Sequence, residues 1–204
     1  MTWAFTFPGH PYFYGYRSLA THGIDKPVLN AFRMFGMLQT NRVRATSSGQ
    51  LSLDALLKDS SRSLPDIGVI ATRGSHSASI LVWNYDDDAV AAPPAKIDVE
   101  VDGLPPHAGQ VLTTQFRIDS EHSDSYTVWQ AMGSPQHPTP AQVEKLKAAG
   151  QLQLVSSPEW LHVHAGTMRL SFALPRQGLS LFRLHWRTRP TRIATASRKS
   201  AAPA

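Results

Sequence analysis

From residue 68 onward, apolar and polar positions alternate over short stretches, each closed by a turn signal. Ile97, Val99 and Val101 alternate with Asp98, Glu100 and Asp102, the period-two pattern of a strand buried on one face. Residues 68–73 and 79–85 form a hairpin across Gly74-Ser75-His76-Ser77, and further strands are expected at 111–118, 161–164, 168–174 and 179–186. Several strands with regular turns and no long helices between them predict an antiparallel β-sandwich. One helix interrupts the series: Thr139-Pro140-Ala141-Gln142 is a capping box with Pro in the first turn, followed by Val143, Leu146 and a stop at Gly150.

The first part of the chain has a different rhythm. Trp3-Ala4-Phe5-Thr6-Phe7 reads as a short strand ending at Pro8-Gly9, and a loop bearing Tyr12, Phe13, Tyr14 and Tyr16 follows. Asp25-Lys26-Pro27 opens a helix whose apolar face is expected at Val28, Leu29, Phe32, Phe35 and Leu38. Such a strand–loop–helix unit cannot bury either hydrophobic face alone and needs neighbours. Residues 46–65 are Ser-rich and mostly polar apart from Leu51, Leu53, Leu56 and Leu57, and form a connector with about one helical turn.

Composition narrows the function classes. The 204 residues are 42% hydrophobic, and no apolar run approaches the length of a membrane span, about 18 residues. Cysteine is absent, which excludes disulfides, thiol nucleophiles and Cys-ligated zinc. The net charge of +5 comes from one end: Arg183, Arg187, Arg189, Arg192, Arg198 and Lys199 are six of the 20 basic residues, leaving 14 against 15 acidic ones. The stretch from Thr188 has no apolar periodicity and is expected to be a solvated, disordered basic tail rather than a nucleic-acid site.

The candidate chemistry is thin. Asp86-Asp87-Asp88 offers carboxylates to a cation but lacks the ligand spacing and Gly of a calcium loop, so a solvated turn is expected. His162 and His164 share one face of a strand, with no third ligand nearby, and read as a polar outer face. His76 beside Ser75 and Ser77, and His122 beside Ser123, lack the setting of a nucleophile and base. No phosphate-cradling loop or RNA-binding aromatic motif is present. Trp3, Phe5 and the aromatics of residues 12–16 are either core or a platform for sugar rings.

Several segments, in one order, resemble the β-xylosidases of glycoside hydrolase family 39. Residues 14–27, Tyr-Gly-Tyr-Arg-Ser-Leu-Ala-Thr-His-Gly-Ile-Asp-Lys-Pro, and Ala31-Phe32-Arg33-Met34-Phe35 are similar to the segment after the family's last barrel strand. Ile70-Ala71-Thr72-Arg73, residues 80–85, Phe116-Arg117-Ile118-Asp119 with His122-Ser123, and residues 129–135 with the following helix resemble its sandwich. The resemblance covers about residues 1–187. It implies a (β/α)8 barrel followed by a packed β-sandwich, and hydrolysis of β-1,4-linked xylose units with retention. That chemistry needs two carboxylates about 5–5.5 Å apart.

On this resemblance Trp3-Ala4-Phe5 is the eighth barrel strand, both catalytic glutamates fall before Met1, and no catalytic residue lies in the chain. Independently, Asp25 is the only acidic residue among the first 53. Trp3 alone carries over as a xylose-subsite residue, while Thr6, Phe7 and Pro8 depart from the acidic residues often found there. The expected division is a barrel remnant at 1–45, a connector at 46–66, a β-sandwich at 67–187 and the tail at 188–204. The expected function is the C-terminal portion of a retaining xylan 1,4-β-xylosidase, inactive as this chain, with no cofactor or metal. The other reading is a non-catalytic carbohydrate-binding or packing module using Trp83, Trp129 or Trp160. Expected partners are xylo-oligosaccharide once a full barrel is present, and self-association or complementation through the exposed helix of residues 28–38, with no nucleic acid or membrane.

Overall fold

Gly74 turns the chain between strands β4 (Asp66–Arg73) and β5 (Ser77–Tyr85), its N–H donating to the carbonyl of Ser77 at 2.9 Å. The hairpin runs antiparallel from Asp66 opposite Tyr85 to Arg73 opposite Ala78, as the alternation predicts. The computed structural model describes residues 9–15, 18–62, 64–88, 92–105 and 108–187. The strand expected at residues 3–7, Trp3 within it, and the basic tail at 188–204 lie outside the described residues.

Before the hairpin come β1 (Ala20–Thr21), β2 (Ile24–Asp25), helix α1 (Pro27–Gly36), β3 (Asn41–Val43) and helix α2 (Leu53–Asp59). After it come β6 (Ala95–Val101), β7 (Gln110–Ile118), α3 (Ser125–Ala131), α4 (Pro140–Ala149), β8 (Gln153–Leu154), β9 (Glu159–His162), β10 (Met168–Leu174) and β11 (Gly178–His185). The main antiparallel sheet has the order β3-β4-β5-β11-β7-β8, with β9 also on β7, and β6 and β10 form the facing sheet. The expected antiparallel β-sandwich is therefore present. Among the described residues no helix is long and apolar enough to cross a membrane.

The period-two pattern decides which face of the main sheet each residue serves. Ile80, Val82, Val111, Phe182 and Leu184 point between the sheets and join Leu170, Leu174 and Met168 of β10 in the larger core. The alternate residues Leu81, Leu181 and Ile118 point to the other face, where Met34 of α1 closes a second core. On that face Gly68 passes directly under Trp83. A Cβ at position 68 would stand 2.0 Å from Cζ2 of the indole, whose N–H donates to Asp66 at 2.8 Å.

Three readings of the sequence need correction. Helix α1 divides the single apolar face expected of it: Asn30 and Met34, not assigned to that face, are buried, while Phe32 and Phe35 are each 47% exposed. Apolar residues cover more of this helix than one sheet face can bury, so Phe32 and Phe35 turn outward. The connector is more ordered than one turn: it holds the seven-residue α2, capped by Ser52 accepting from the N–H of Ala55, and just ahead of it β3 pairs with the edge of β4. Helix α3 was not anticipated, although Asp124 is a strong cap, accepting from the N–H groups of Tyr126 and Thr127. The capping box at Thr139 and Gln142 is present as expected.

Candidate functional site

The aromatic loop gathers against β1, β2 and α3. Its backbone is held at two points: the N–H of Tyr12 donates to Gln136 at 2.8 Å, and that of Phe13 donates to Thr21 Oγ1 at 3.0 Å. Phe13 is thereby kept at a positive φ of 59°, a conformation uncommon for a bulky residue. Its ring lies 4.9 Å from that of Trp129 and 5.6 Å from that of Tyr126. Tyr12 stacks on His22 at 4.1 Å, and His10 on Tyr14 at 4.9 Å.

Beside this cluster Phe13, Lys26, Pro27, Val28 and Tyr126 line a concavity of about 350 Å³. Lys26 is 6% exposed, and its ammonium donates to the carbonyl of Gly15 and to Ser18 Oγ, each at 2.6 Å. Burial holds its pKa below the ordinary lysine value. Nothing local signals this lysine's burial, because its partners are a loop carbonyl and a serine that only the folded loop brings together. Aromatic faces and a polar edge suit a sugar ring or an apolar side chain. Among the described residues no carboxylate lines the concavity, whereas retaining glycoside hydrolysis uses two.

The carboxylates that looked available are engaged elsewhere. Asp25 pairs with Arg33 at 2.8 Å. Asp119 is 7% exposed and accepts from Nδ1 of His122 at 2.8 Å, with Arg117 Nη1 at 3.5 Å from its other oxygen. Burial alone would raise the Asp119 pKa. Hydrogen bonds from His122 and the Glu121 N–H, with the His122 and Arg117 charges, outweigh it and hold the carboxyl below its usual value. Ser123 does not complete a triad: its hydroxyl donates to the carbonyl of Arg117 at 2.7 Å and accepts from the N–H of Gln153 at 2.8 Å. The Arg117-Ile118-Asp119 and His122-Ser123 motif thus builds the corner between β7 and α3, with Ser123 reaching Gln153 of β8.

Asp86-Asp87-Asp88 is not simply the solvated turn expected of it. Asp86 is 2% exposed and pairs with Arg176 at 3.0 Å, because the strand end tucks it beneath the β10–β11 turn. Asp87 stays outside and accepts from the Tyr85 hydroxyl at 2.7 Å. Hydrogen bonds from Ser60 and Tyr85 lower its pKa. His162 and His164 stack outward at 6.4 Å, and among the described residues no cluster of three potential ligands could hold a metal. Of the tryptophans considered as sugar platforms, Trp129 is 9% exposed, with its N–H bound to the Pro135 carbonyl, and Trp83 is half-buried over Gly68. Trp160 is 42% exposed, with the Arg187 guanidinium 5.3 Å above its ring. Trp3 lies outside the described residues.

The fold has close counterparts. The β-xylosidase of Caulobacter crescentus CB15 superposes with a TM-score of 0.65 at 18% identity, over 83% of this chain and 32% of that one. The family 39 enzyme of Xanthomonas axonopodis pv. citri gives 0.63 at 16% identity, over 79% and 30%. A bacterial orthologue of human α-L-iduronidase gives 0.63 at 21% identity, over 80% and 28%. This chain spans about a third of the length of each. The model of glycosyl hydrolases family 39 matches residues 6–158, most of the sequence, and this chain belongs to that family.

Proposed function

We propose that this chain is the C-terminal portion of a retaining xylan 1,4-β-xylosidase, and that alone it does not hydrolyse glycosides. The observation that carries this reading is the state of the carboxylates. Asp25, Asp86 and Asp119 are each committed to a structural cation, and none lines the aromatic concavity. Retaining hydrolysis needs two carboxylates facing one substrate, and the remaining polypeptide of the enzyme would supply them. In this reading residues 1–45 are the end of a barrel, with β3 at its close joining the edge of the sandwich sheet, 46–66 are a connector and 67–187 the supporting sandwich. Trp3 is a xylose-subsite residue that functions only in the assembled enzyme. The xylose preference rests on the likeness to the Caulobacter β-xylosidase, and the iduronidase-like neighbour makes uronides the competing substrates.

The outward stripe of Phe32 and Phe35 supports complementation, since apolar residues of this size along a helix are otherwise covered. The test is hydrolysis of chromogenic β-xyloside and α-L-iduronide by the purified chain. No turnover is expected. Turnover lost on replacing a carboxylate within residues 1–204 would overturn the proposal.

Trp160 favours a second reading, a non-catalytic sugar-binding module, because it is the exposed member of the three candidate platforms. Titration with xylo-oligosaccharides under tryptophan fluorescence separates the two. A saturable change below about 10 mM that Trp160→Ala removes would establish the module.

A further inference from the structure

Strand β9 pairs only with β7, and its alternation turns Trp160, His162 and His164 outward while Leu161 and Val163 pack on the core. Trp160 stands opposite Leu112 of β7 and His162 opposite Gln110. Leu112 in turn stands opposite His185 of β11, and Thr114 opposite Arg183. Residues opposite one another share a sheet face, so His185 and Arg183 look out on the side of Trp160 and His162. Arg187, just past β11, reaches over the Trp160 ring on that side. Glu159 is the single acid of β7, β9 and β11, and alternation puts it on the other face. The outward face of these three strands is therefore cationic with no carboxylate of its own.

At its margin Ala108, Gly109, Gln110, Trp160 and Arg187 line a concavity of about 460 Å³. The Arg187 guanidinium lies 5.3 Å from the centre of the Trp160 ring, a stacking that orients the group and leaves its N–H edge available to a ligand. Neither Arg187 nor Arg183 has a carboxylate partner among the described residues, and Nε of Arg183 is buried without an acceptor. The Gln110 side-chain amide donates to Nε2 of His162 at 3.1 Å, which leaves the Gln110 oxygen as an acceptor. The floor is open at Gly109, where a Cβ would meet no atom within 4 Å. Trp160 itself is 42% exposed, although large aromatics are usually covered.

We propose that this concavity binds an acidic sugar, a uronate residue within an oligosaccharide. The carboxylate takes the paired N–H groups of Arg187, a geometry that planar guanidinium and planar carboxylate share. A ring hydroxyl donates to the Gln110 oxygen, and the C–H face of the sugar packs on the exposed part of the indole. The charge on Arg183 and the absence of acids on this face favour an anion over a neutral ring. A neutral xylose residue would leave Arg187 without a counter-ion. The inference rests on the second reading of the chain, a sugar-binding module at Trp160, and adds selection by charge to it.

The test is calorimetric titration of the 204-residue chain at fixed salt with xylotetraose and with xylotetraose bearing one glucuronate branch. The acidic oligosaccharide should bind at least about tenfold more tightly, and its methyl ester should bind like the neutral one. Arg187→Gln should erase the difference, and Trp160→Ala should remove binding of both. Each of these side chains is exposed, so the urea midpoint of either variant should stay near that of the parent chain. Equal binding of the two sugars, lost in Trp160→Ala, would keep the module and overturn the charge selection. No saturable binding of either sugar below about 10 mM would overturn both. The residues after Arg187 include Arg189, Arg192, Arg198 and Lys199, so an acidic preference that survives Arg187→Gln would belong to them and overturn the site. Equally tight, Arg187-dependent binding of a single-stranded oligonucleotide would make the face a general polyanion surface and overturn the sugar assignment.

Discussion

The side-chain amide of Asn30 donates to the carbonyl oxygen of Ser123 at 3.1 Å, joining α1 to the corner after β7 across 93 positions of sequence. The same nitrogen donates to Gly150 at 2.8 Å, and the amide oxygen accepts from Arg33, which also holds Asp25. Asn30 is fully buried, so each of these bonds replaces one to water. Asn30→Leu keeps the volume but leaves two buried carbonyls without donors. A loss of about 3 kcal/mol is expected, read as a lower urea midpoint with an unchanged slope.

Gly68 gives a sharper steric prediction. With a Cβ placed 2.0 Å from Trp83, Gly68→Ala must displace the indole and break its bond to Asp66. The expected loss is about 2–3 kcal/mol with a changed tryptophan emission. In a Trp83→Leu background the bulky ring is gone, and the cost of Gly68→Ala should fall by more than half. Additive costs in the double-mutant cycle would refute steric contact as the cause.

His185 and Asp119 both contribute to the pH dependence below neutrality, each with a depressed pKa in the fold. His185 is lowered by burial and by the Arg183 charge, so the unfolded chain binds its proton first. Its contribution is present above the unfolded histidine pKa of about 6.5 and is lost as pH falls through the folded value. Asp119 behaves likewise in a lower window, its contribution fading as pH drops below the unfolded value of about 3.9. Urea midpoints should therefore decline from pH 7 to 5, less steeply in His185→Gln. A second decline below pH 4 should shrink in Asp119→Asn.

How far the sequence reveals this molecule depends on whether the signal is local. Ile97, Val99 and Val101 announce their strand because each alternate residue has the same surroundings, and Thr139 with Gln142 announces a helix start within four residues. Asn30 announces nothing, since its partners are about a hundred positions away. Strand β3 is equally silent: Asn41–Val43 is three exposed residues whose pairing is backbone only. The site is less legible still. The motif of Asp119, His122 and Ser123 suggests chemistry by its residue types, and only the folded corner shows those groups spent on backbone partners and Arg117. Composition speaks to the acids as an expectation only: Asp25 stands alone among the first 53 residues, too few for a carboxylate pair in that stretch.

Helix α1 provides the last prediction. Met34 ties one side to the sheet and Asn30 ties it to the corner after β7 and to Gly150, while Phe32 and Phe35 stand 47% exposed on the other. In water that stripe drives association, because burying each ring against a second copy removes apolar surface. The isolated chain should sediment as a concentration-dependent mixture of monomer and larger species. Phe32→Lys with Phe35→Lys should yield a monomer across the same range. Since neither ring contributes to the folded core, the urea midpoint should move by no more than the equivalent of about 0.5 kcal/mol. A large loss of stability would mean that the rings are buried within the chain itself. A monomeric wild-type chain at high concentration would mean that the stripe is not a contact surface, and would remove the physical support for complementation through α1.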